Sequence, residues 1–325
     1  MAITAHLVAP DIYQARIPLP YQLNHVFCYL LRDGSGWTIV DTGLNWPEAQ
    51  AAWFAYFEQL GIKPKEDIRK IILTHMHPDH FGMAGWFQSQ SGAPIYISER
   101  ELHTVHYIWY AWAAREVNMR HYFQKCGLPE NLVETAIQAG NSTAALTAPL
   151  PQQLEPLPAD GQIVIGDRTF SVITAPGHSD GQALFYHAPE ELLLSGDHVL
   201  LKITPNIGLW PESDPAPLAR YLASLDALCD LPVKLALPGH KSVIHNWQAR
   251  INELQAHHAQ RLALLHETSV RGITVFQAAG EIFDLSRLTQ HEIRFALAET
   301  LAHLEYLGDT GALQREDGDV YFFKG

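Results

Sequence analysis

Seven side chains of types that commonly bind metal ions occur in four short motifs of this 325-residue chain. The first motif, HMHPDH at residues 75–80, contains four of them. The other three motifs, APGH, SGD and LPGH, each end on one such residue: His178, Asp197 and His240. A glycine precedes each of these three, and glycine lets the backbone turn sharply beside a crowded site. Because a catalytic zinc ion takes three protein ligands and a water, seven groups predict two divalent ions that share one carboxylate.

Hydrolysis is the chemistry that such a pair of ions favours. Two ions can hold a hydroxide between them and bind both the attacked oxygen and the leaving group. We therefore predict a hydrolase that uses a metal-bound hydroxide. Zinc is the expected metal, with iron and manganese as alternatives, because sites of histidine and aspartate accept all three. Ser195 is not a competing nucleophile, since LSGDH at residues 194–198 lacks the G-x-S-x-G pattern.

The elements that must position these motifs are predicted strands, one before each motif. IRKIIL at residues 68–73 is typical of a buried strand, and TFSVIT, ELLLSG and VKLALP precede the other three motifs. Ligand sites in α/β sheets lie at the carboxyl ends of strands. Helices are predicted between the strands, for example from Pro47 to Leu60, where apolar residues recur with a period near 3.6. This alternation predicts a layered α/β fold.

The four motifs in this order, together with VDTG at residues 40–43, resemble those of the metallo-β-lactamase-fold hydrolases. Among these, the glyoxalase II-like branch is the most similar. The resemblance spans about residues 20–266 and implies an αββα sandwich. It also implies the metal ligands: His75, His77 and His178 for the first ion, Asp79, His80 and His240 for the second, and Asp197 as the bridge between them.

Two carboxylates are assigned supporting roles. The resemblance implies that Asp41 orients metal ligands from outside the ligand shell. Hydrogen bonds of this kind fix histidine tautomers and tune metal affinity. We further expect Asp79, besides binding metal, to act in catalysis by orienting the attacking hydroxide or passing on a proton.

Two domains are predicted along the chain: a catalytic domain over residues 1–266, with a helical insertion at about 99–138, and a C-terminal domain over 267–325. The insertion is rich in aromatic residues, which we assign to helix packing, with an apolar pocket for an acyl group as the alternative. A Pro/Ala/Thr-rich surface connection is predicted at residues 141–161. The tail predicts two helices and a hairpin around Asp317-Gly318, a pattern typical of a small winged-helix unit.

A few residues outside the motifs are also assigned. His103 and His106 lie one helical turn apart but lack a carboxylate partner, so we expect structural or surface roles. Lys202 is expected to meet an anionic group of the substrate, because the glyoxalase II-like enzymes that the chain resembles hold glutathione with basic residues near this region. Trp210 is expected either to line the pocket opening or to pack in the core.

Composition limits the partners of the chain. Its net charge of −13 argues against nucleic acid and anionic membranes, because both require a cationic surface. The tail carries more acidic than basic residues, so we interpret it as a packing or homodimerisation element. Three widely spaced cysteines, the absence of a signal-peptide pattern and the absence of a long apolar run predict a cytoplasmic protein without a transmembrane helix.

Three classes of function remain open at this point. The favoured one is hydrolysis of a thioester or related ester on a glutathione- or CoA-like small molecule, and a lactone would use the same chemistry. The second is phosphodiester cleavage of RNA by a ribonuclease. The third is non-hydrolytic, either an iron-dependent thiol oxidation or a ligand-sensing role. The complete set of seven ligand types favours a dinuclear hydrolase over a mononuclear iron site.

Overall fold

The computed structural model describes residues 4–157 and 161–325, and within them the side chains of all residues except 112–114. Two mixed β-sheets lie face to face at its centre. The first sheet has seven strands that neighbour one another in chain order. They are β1 (His6–Ala9), β2 (Ile12–Pro18), β3 (His25–Asp33), β4 (Gly36–Val40), β5 (Ile68–Ile72), β6 (Ile95–Ser98) and β7 (Glu155–Leu157). The pairs from β1 to β4 are antiparallel, and those from β4 to β7 are parallel.

The second sheet has five strands in the order β12-β11-β10-β9-β8. They are β8 (Gln162–Ile165), β9 (Arg168–Thr174), β10 (Ala183–His187), β11 (Leu192–Gly196) and β12 (Leu235–Pro238). Only the β11–β12 pair is parallel. Between the sheets, Val40 and Ile72 of the first pack with Phe170 and Phe185 of the second. Every residue of β11 is buried, as expected for a strand covered on both faces.

Eleven helices are described. They are α1 (Pro47–Leu60), α2 (Pro64–Asp67), α3 (Pro78–Phe81), α4 (Ala84–Ser91), α5 (Glu99–Val105), α6 (Trp112–Lys125), α7 (Glu130–Ala145), α8 (Pro217–Cys229), α9 (Trp247–Ser269), α10 (Val275–Ile282) and α11 (Gln290–Asp309). Helices α1 and α4 cover the first sheet, and α8 and α9 cover the second. The predicted αββα sandwich is therefore confirmed. Within the two described ranges, no helix is long and apolar enough to cross a membrane.

Helix α1 shows how closely local signals can define an element. Pro47 occupies its first turn, where a missing N–H costs nothing, and Gly61 ends it in the left-handed conformation with φ of 63°. The buried Trp53 packs edge-on against Phe87 of α4, with ring centroids 4.8 Å apart. The predicted bounds of this helix are confirmed.

The helical insertion is longer than predicted. Helix α5 passes into one turn of π-helix at His106–Tyr110, followed by α6 and α7. The insertion was predicted to end near residue 138, but α7 continues to Ala145 through residues that favour turns. Thr143 of this extension is buried, and its hydroxyl donates to the Ala139 carbonyl. Packing against the C-terminal helices therefore outweighs local propensity.

The predicted surface connection that follows is also partly wrong, because β7 lies within it. This short strand pairs in parallel with β6 at the edge of the first sheet, where its proline is tolerated. Residues 158–160 of the same connection lie outside the described residues.

The C-terminal region begins within α9, which continues unbroken across the predicted boundary at residue 266. It continues through α10 and α11, and three strands complete it: β13 (Ile273–Thr274), β14 (Gln314–Asp317) and β15 (Tyr321–Lys324). The last two form the predicted hairpin, and β15 also pairs with β13. Helix α11 has twelve buried residues and shares its apolar core with the insertion helices, so the tail packs onto the catalytic part of the same chain.

Candidate metal centre

The structure brings all seven motif residues together where four strands end. The HMHPDH motif follows β5, and its last residues form the short helix α3. His178 follows β9, Asp197 follows β11, and His240 follows β12. The first strand belongs to one sheet and the other three to the second, so the cluster spans one edge of the sandwich.

Three imidazoles form one half of the cluster. Nitrogen atoms of His75, His77 and His178 all lie within 4.8 Å of one another. The closest pair is His77 Nδ1 and His178 Nε2, at 2.9 Å. Three nitrogens at this spacing match the three protein ligands of a catalytic metal site.

The second half combines Asp79, His80 and His240, whose ligand atoms also lie within 4.8 Å of one another. Asp79 Oδ2 is 3.1 Å from His240 Nε2. Asp197 lies between the halves: its Oδ2 is 3.2 Å from His240 Nε2, 3.3 Å from His80 Nε2 and 3.7 Å from His178 Nε2. Asp197 thus contacts both halves of the cluster.

Hydrogen bonds outside the cluster orient its imidazoles. Asp41 accepts from His80 Nδ1 at 2.8 Å and from the Thr74 hydroxyl at 2.8 Å. Because that hydroxyl donates to Asp41, it accepts from His75 Nδ1 at 2.9 Å. Asp41 therefore fixes two rings, one directly and one through Thr74, with the Nε2 atoms turned into the cluster.

Backbone carbonyls hold two further rings. His178 Nδ1 donates to the Asn206 carbonyl at 2.9 Å, and His240 Nδ1 donates to the His25 carbonyl at 2.8 Å. In both rings the Nε2 atom remains directed at the other cluster residues. Metal-binding histidines almost always show this arrangement, in which one nitrogen donates to an oxygen and the other binds the ion.

The centre of the cluster fits divalent ions. His75 Nε2, His80 Nε2 and Asp197 Oδ1 are buried there without a hydrogen-bond partner among the described residues. Buried polar atoms are rarely left unpaired, because the loss of hydration is costly. Glycine at position 239 also keeps space open beside Asp197, because a Cβ atom there would lie 2.4 Å from Asp197 Oδ1.

The charges of the two halves differ. Burial and the neighbouring His178 lower the pKa of His77 to about 3, which keeps this ring neutral and able to bind a cation. Burial also lowers the pKa of His240, but the carboxylates of Asp197 and Asp79 outweigh it and raise that pKa to about 9. The second half therefore attracts positive charge, which a metal ion would supply in place of protons.

Glu101 is a site residue that the sequence analysis missed. Its buried carboxylate accepts from the Met76 N–H at 2.8 Å and from the Gly181 N–H at 2.7 Å. It thus ties the HMHPDH loop to the loop of His178. Burial raises the pKa of Glu101 to about 7, although both N–H donors and the Ser179 hydroxyl lower it. The only local signal was Ser98-x-x-Glu101 at a helix start, which predicts a helix cap rather than a loop clamp.

Replacement of Glu101 by glutamine tests this clamp. An amide has one acceptor oxygen, so its NH₂ group must face one of the two N–H donors. We expect Glu101→Gln to lower the free energy of unfolding by about 1–3 kcal/mol. We also expect metal affinity to fall by about 10- to 100-fold. Calorimetry and metal titration measure both, and Glu99→Gln on the exposed side of α5 is the matched control. Unchanged metal affinity would show that the two loops hold their positions without Glu101.

A cavity of about 220 Å³ opens beside His77 and His178. The insertion and α11 supply much of its wall. Apolar lining comes from Met76, Ile108, Trp109, Trp210 and Phe295, and cationic side chains come from Arg100, Arg115 and Arg294. The Trp109 indole N–H also donates to the Met76 carbonyl at 3.0 Å, so the insertion supports the first motif directly.

Helix α11 also supports the cluster. The Asn206 side-chain amide donates to Glu299 Oε2 at 2.8 Å and to the Phe295 carbonyl at 3.2 Å. The carbonyl of the same asparagine holds His178. A chain of contacts therefore runs from the C-terminal helix to one of the cluster imidazoles.

The other predicted residues are only partly placed as expected. Lys202 is exposed, in a left-handed turn with φ of 70°, and does not line the cavity, so it is not the expected anion contact there. Trp210 combines the two roles considered for it: it lines the cavity and also packs against the core that the insertion shares with the C-terminal helices. His103 and His106 are exposed, as expected, and belong to none of the potential metal clusters among the described residues; His103 also lines the cavity.

Some aromatic residues of the insertion line the cavity, and others pack between helices, so both roles considered for them occur. Tyr107 and Trp109 line the cavity. Tyr122 and Phe123 pack in the core that the insertion shares with the C-terminal helices. The side chain of Trp112 lies outside the described residues.

Comparison with protein families defines the class. Residues 22–240 match the family model described as metallo-beta-lactamase superfamily. Residues 263–325 match the model described as metallo-beta-lactamase-like, C-terminal domain. Since the first match covers more than half of the chain, the protein belongs to the metallo-beta-lactamase superfamily and is a hydrolase of that superfamily. The fold of this superfamily binds divalent metal ions.

Solved structures and curated relatives agree with this class. A metallo-beta-lactamase family protein from Thermus thermophilus is 35% identical with a TM-score of 0.87, over 98% of this chain and 99% of that one. A beta-lactamase domain protein from Burkholderia ambifaria is 28% identical with a TM-score of 0.82, over 100% and 95%. The probable metallo-hydrolase YqjP from Bacillus subtilis (strain 168) is 25% identical over 98% of this chain and 99% of its own length.

More distant relatives carry names that specify a substrate. The atrochrysone carboxyl ACP thioesterase of Aspergillus fumigatus is 24% identical over 73% of this chain and 57% of its own length. The hydroxyacylglutathione hydrolase of Albidiferax ferrireducens is 25% identical over 66% of this chain and 61% of its own length. The chain therefore matches little more than half of either protein.

Proposed function

We propose that the protein hydrolyses a thioester or related ester, using two divalent metal ions held by the seven motif residues. The observation that carries this proposal is the cluster itself, with three buried unpaired ligand atoms directed at its centre. His75, His77 and His178 would hold one ion, Asp79, His80 and His240 the other, and Asp197 both. When bound, the ions would supply an activated water and polarise the substrate carbonyl.

The residues around the centre have separable tasks. Asp41, Thr74 and the carbonyl of Asn206 keep the rings oriented, so that little rearrangement is needed during turnover. The Asp79 side chain is 20% exposed, whereas those of His80 and Asp197 are 7% exposed or less. Asp79 is thus the cluster carboxylate best placed to exchange a proton with solvent or substrate. The apolar cavity wall holds the acyl group and excludes water from it.

Two distant relatives support a thioester over other esters. One is named a thioesterase and the other a hydrolase of a hydroxyacylglutathione. Ribonuclease activity is disfavoured by the net charge of −13, which opposes binding of a polyanion. We also propose that the substrate is a small molecule, that the protein is cytoplasmic and that the metal is zinc. The C-terminal unit is proposed to be a winged helix. Homodimerisation through this unit is a further proposal that light scattering in solution would test.

The proposed reaction is tested by a substrate panel. Protein reconstituted separately with zinc, iron or manganese is assayed for thiol release from glutathione and CoA thioesters. Parallel assays use a lactone, an oxygen ester and bis(4-nitrophenyl) phosphate. We expect turnover to be fastest on a thioester and to disappear when metal is removed. Turnover confined to the phosphodiester, with metals bound, would contradict the proposal.

A further inference from the structure

A buried guanidinium group faces the cavity from the C-terminal helix. Arg294 of α11 is 7% exposed and lines the same cavity as His77 and His178. Its Nε atom has no hydrogen-bond partner among residues 4–157 and 161–325, and no carboxylate of these residues forms an ion pair with it. A buried charge without a partner is costly, so its retention in a fold usually has a functional reason.

The surroundings of Arg294 strengthen the positive charge. Arg115 of α6 lines the same cavity, and both arginines also line a second, smaller cavity. Burial and the neighbouring Arg294 lower the pKa of Arg115 to about 10, and burial lowers the pKa of Arg294 to about 10, so both groups remain charged at neutral pH. Two carboxylates also line the cavity: Asp180, which Arg100 engages at 2.7 Å, and the exposed Glu212.

The backbone is shaped to admit this guanidinium. A Cβ atom on Gly140 of α7 would lie 3.2 Å from Arg294 Cζ, so glycine leaves the space that the group occupies. The rings of Trp210 and Phe295 have centroids 6.0 Å from the same atom. The guanidinium is therefore held between apolar neighbours, where its interaction with an anion is strengthened by the low polarity.

We propose that Arg294, with Arg115 beside it, binds a carboxylate of the substrate, and that the substrate is a thioester of a short dicarboxylic acid. This inference rests on the proposed thioesterase function. A guanidinium binds a carboxylate through two parallel hydrogen bonds. The apolar lining from Met76, Ile108 and Trp109 fits a short aliphatic chain between the hydrolysed carbonyl and that carboxylate. The volume of about 220 Å³ suits a compact acyl group.

Kinetic preference provides the first test. Hydrolysis of glutaryl-CoA and pentanoyl-CoA is measured, because their acyl chains differ in the terminal carboxylate. We expect the native enzyme to prefer glutaryl-CoA and Arg294→Met to reduce the ratio of the two kcat/KM values by roughly 10- to 100-fold. Arg294→Lys should retain part of the preference. The matched control is Arg287→Met, which removes an arginine whose side chain is 84% exposed and should leave the ratio unchanged. An unchanged ratio in Arg294→Met would overturn the proposal.

Ligand binding provides a second test that does not depend on turnover. The metal-loaded full-length protein is titrated calorimetrically with pentanoate, pentanamide and butyl phosphate. We expect pentanoate to bind at least about 10-fold more tightly than pentanamide. That difference should disappear in Arg294→Met while metal content and thermal stability are retained. Equal pentanoate binding by both proteins, or Arg294-dependent binding of butyl phosphate alone, would overturn the proposal. Arg294-dependent pentanoate binding without hydrolysis of any thioester would support it and contradict the proposed reaction instead.

Discussion

Asp197→Ala will abolish hydrolysis and reduce the metal content of the protein. Asp197 is the carboxylate that contacts both halves of the cluster, at 3.2 Å from His240 Nε2 and 3.7 Å from His178 Nε2. Loss of residues that merely support metal ligands costs about 10- to 100-fold in affinity or activity. Removal of the proposed bridging ligand should exceed this range, so we expect kcat/KM to fall by more than about 100-fold. Metal analysis by mass spectrometry and the thioester assay measure the two effects.

The control for this variant makes the same chemical change elsewhere. Asp226 lies on the exposed face of α8, outside the cluster, and accepts a hydrogen bond from Gln255. Asp226→Ala should retain activity and the full metal content. If Asp197→Ala also retained both, the assignment of the seven residues as a two-metal site would be wrong.

Gly239→Ala is expected to disable the site by filling it. The added Cβ would lie 2.4 Å from Asp197 Oδ1 and 2.6 Å from His80 Cε1, both far inside van der Waals contact. The backbone cannot easily retreat, because the Gly239 N–H donates to the Gly196 carbonyl at 2.9 Å and its carbonyl accepts from Phe27. We expect loss of metal from the half that contains His80, and a fall in activity of more than about 100-fold.

A second glycine supplies the matched control. No heavy atom lies within 4 Å of the position that a Cβ on Gly308 would occupy. This glycine lies within α11, so Gly308→Ala should leave activity unchanged and raise the free energy of unfolding by about 0.5–1 kcal/mol.

Full metal binding by Gly239→Ala, measured by competition with a chromophoric chelator, would show that the space beside Asp197 is not where an ion is held.

The convergence of the motifs was predictable because each signal is local. A buried apolar strand followed by Gly and a ligating residue predicts both the element and its end, as for β12 and His240. Such strand ends must meet once the sheets form. The αββα architecture required the family resemblance in addition, since alternation of strands and helices alone is compatible with several layered folds.

The residues that the sequence did not reveal act through long-range contacts. Glu101 clamps loops that are 25 and 80 residues away in sequence, and nothing near it indicates either partner. Arg294 lies on an amphipathic helix, where an arginine ordinarily reaches solvent. Likewise Asn141 to Thr143 favour turns but are helical in α7, whose earlier turns pack with α11 in one core.

The candidate metal ligands and the cavity arginines lie on different parts of the fold, and this separation affects how such enzymes diversify. The candidate ligands lie on loops of the central sandwich, whereas Arg115 and Arg294 lie on the insertion and on the C-terminal helix. Selection on the flanking helices could therefore alter substrate preference while the reactive centre is inherited intact. Proteins with the same four motifs should then differ most in the residues facing this cavity, and horizontal exchange of the tail should transfer part of the specificity.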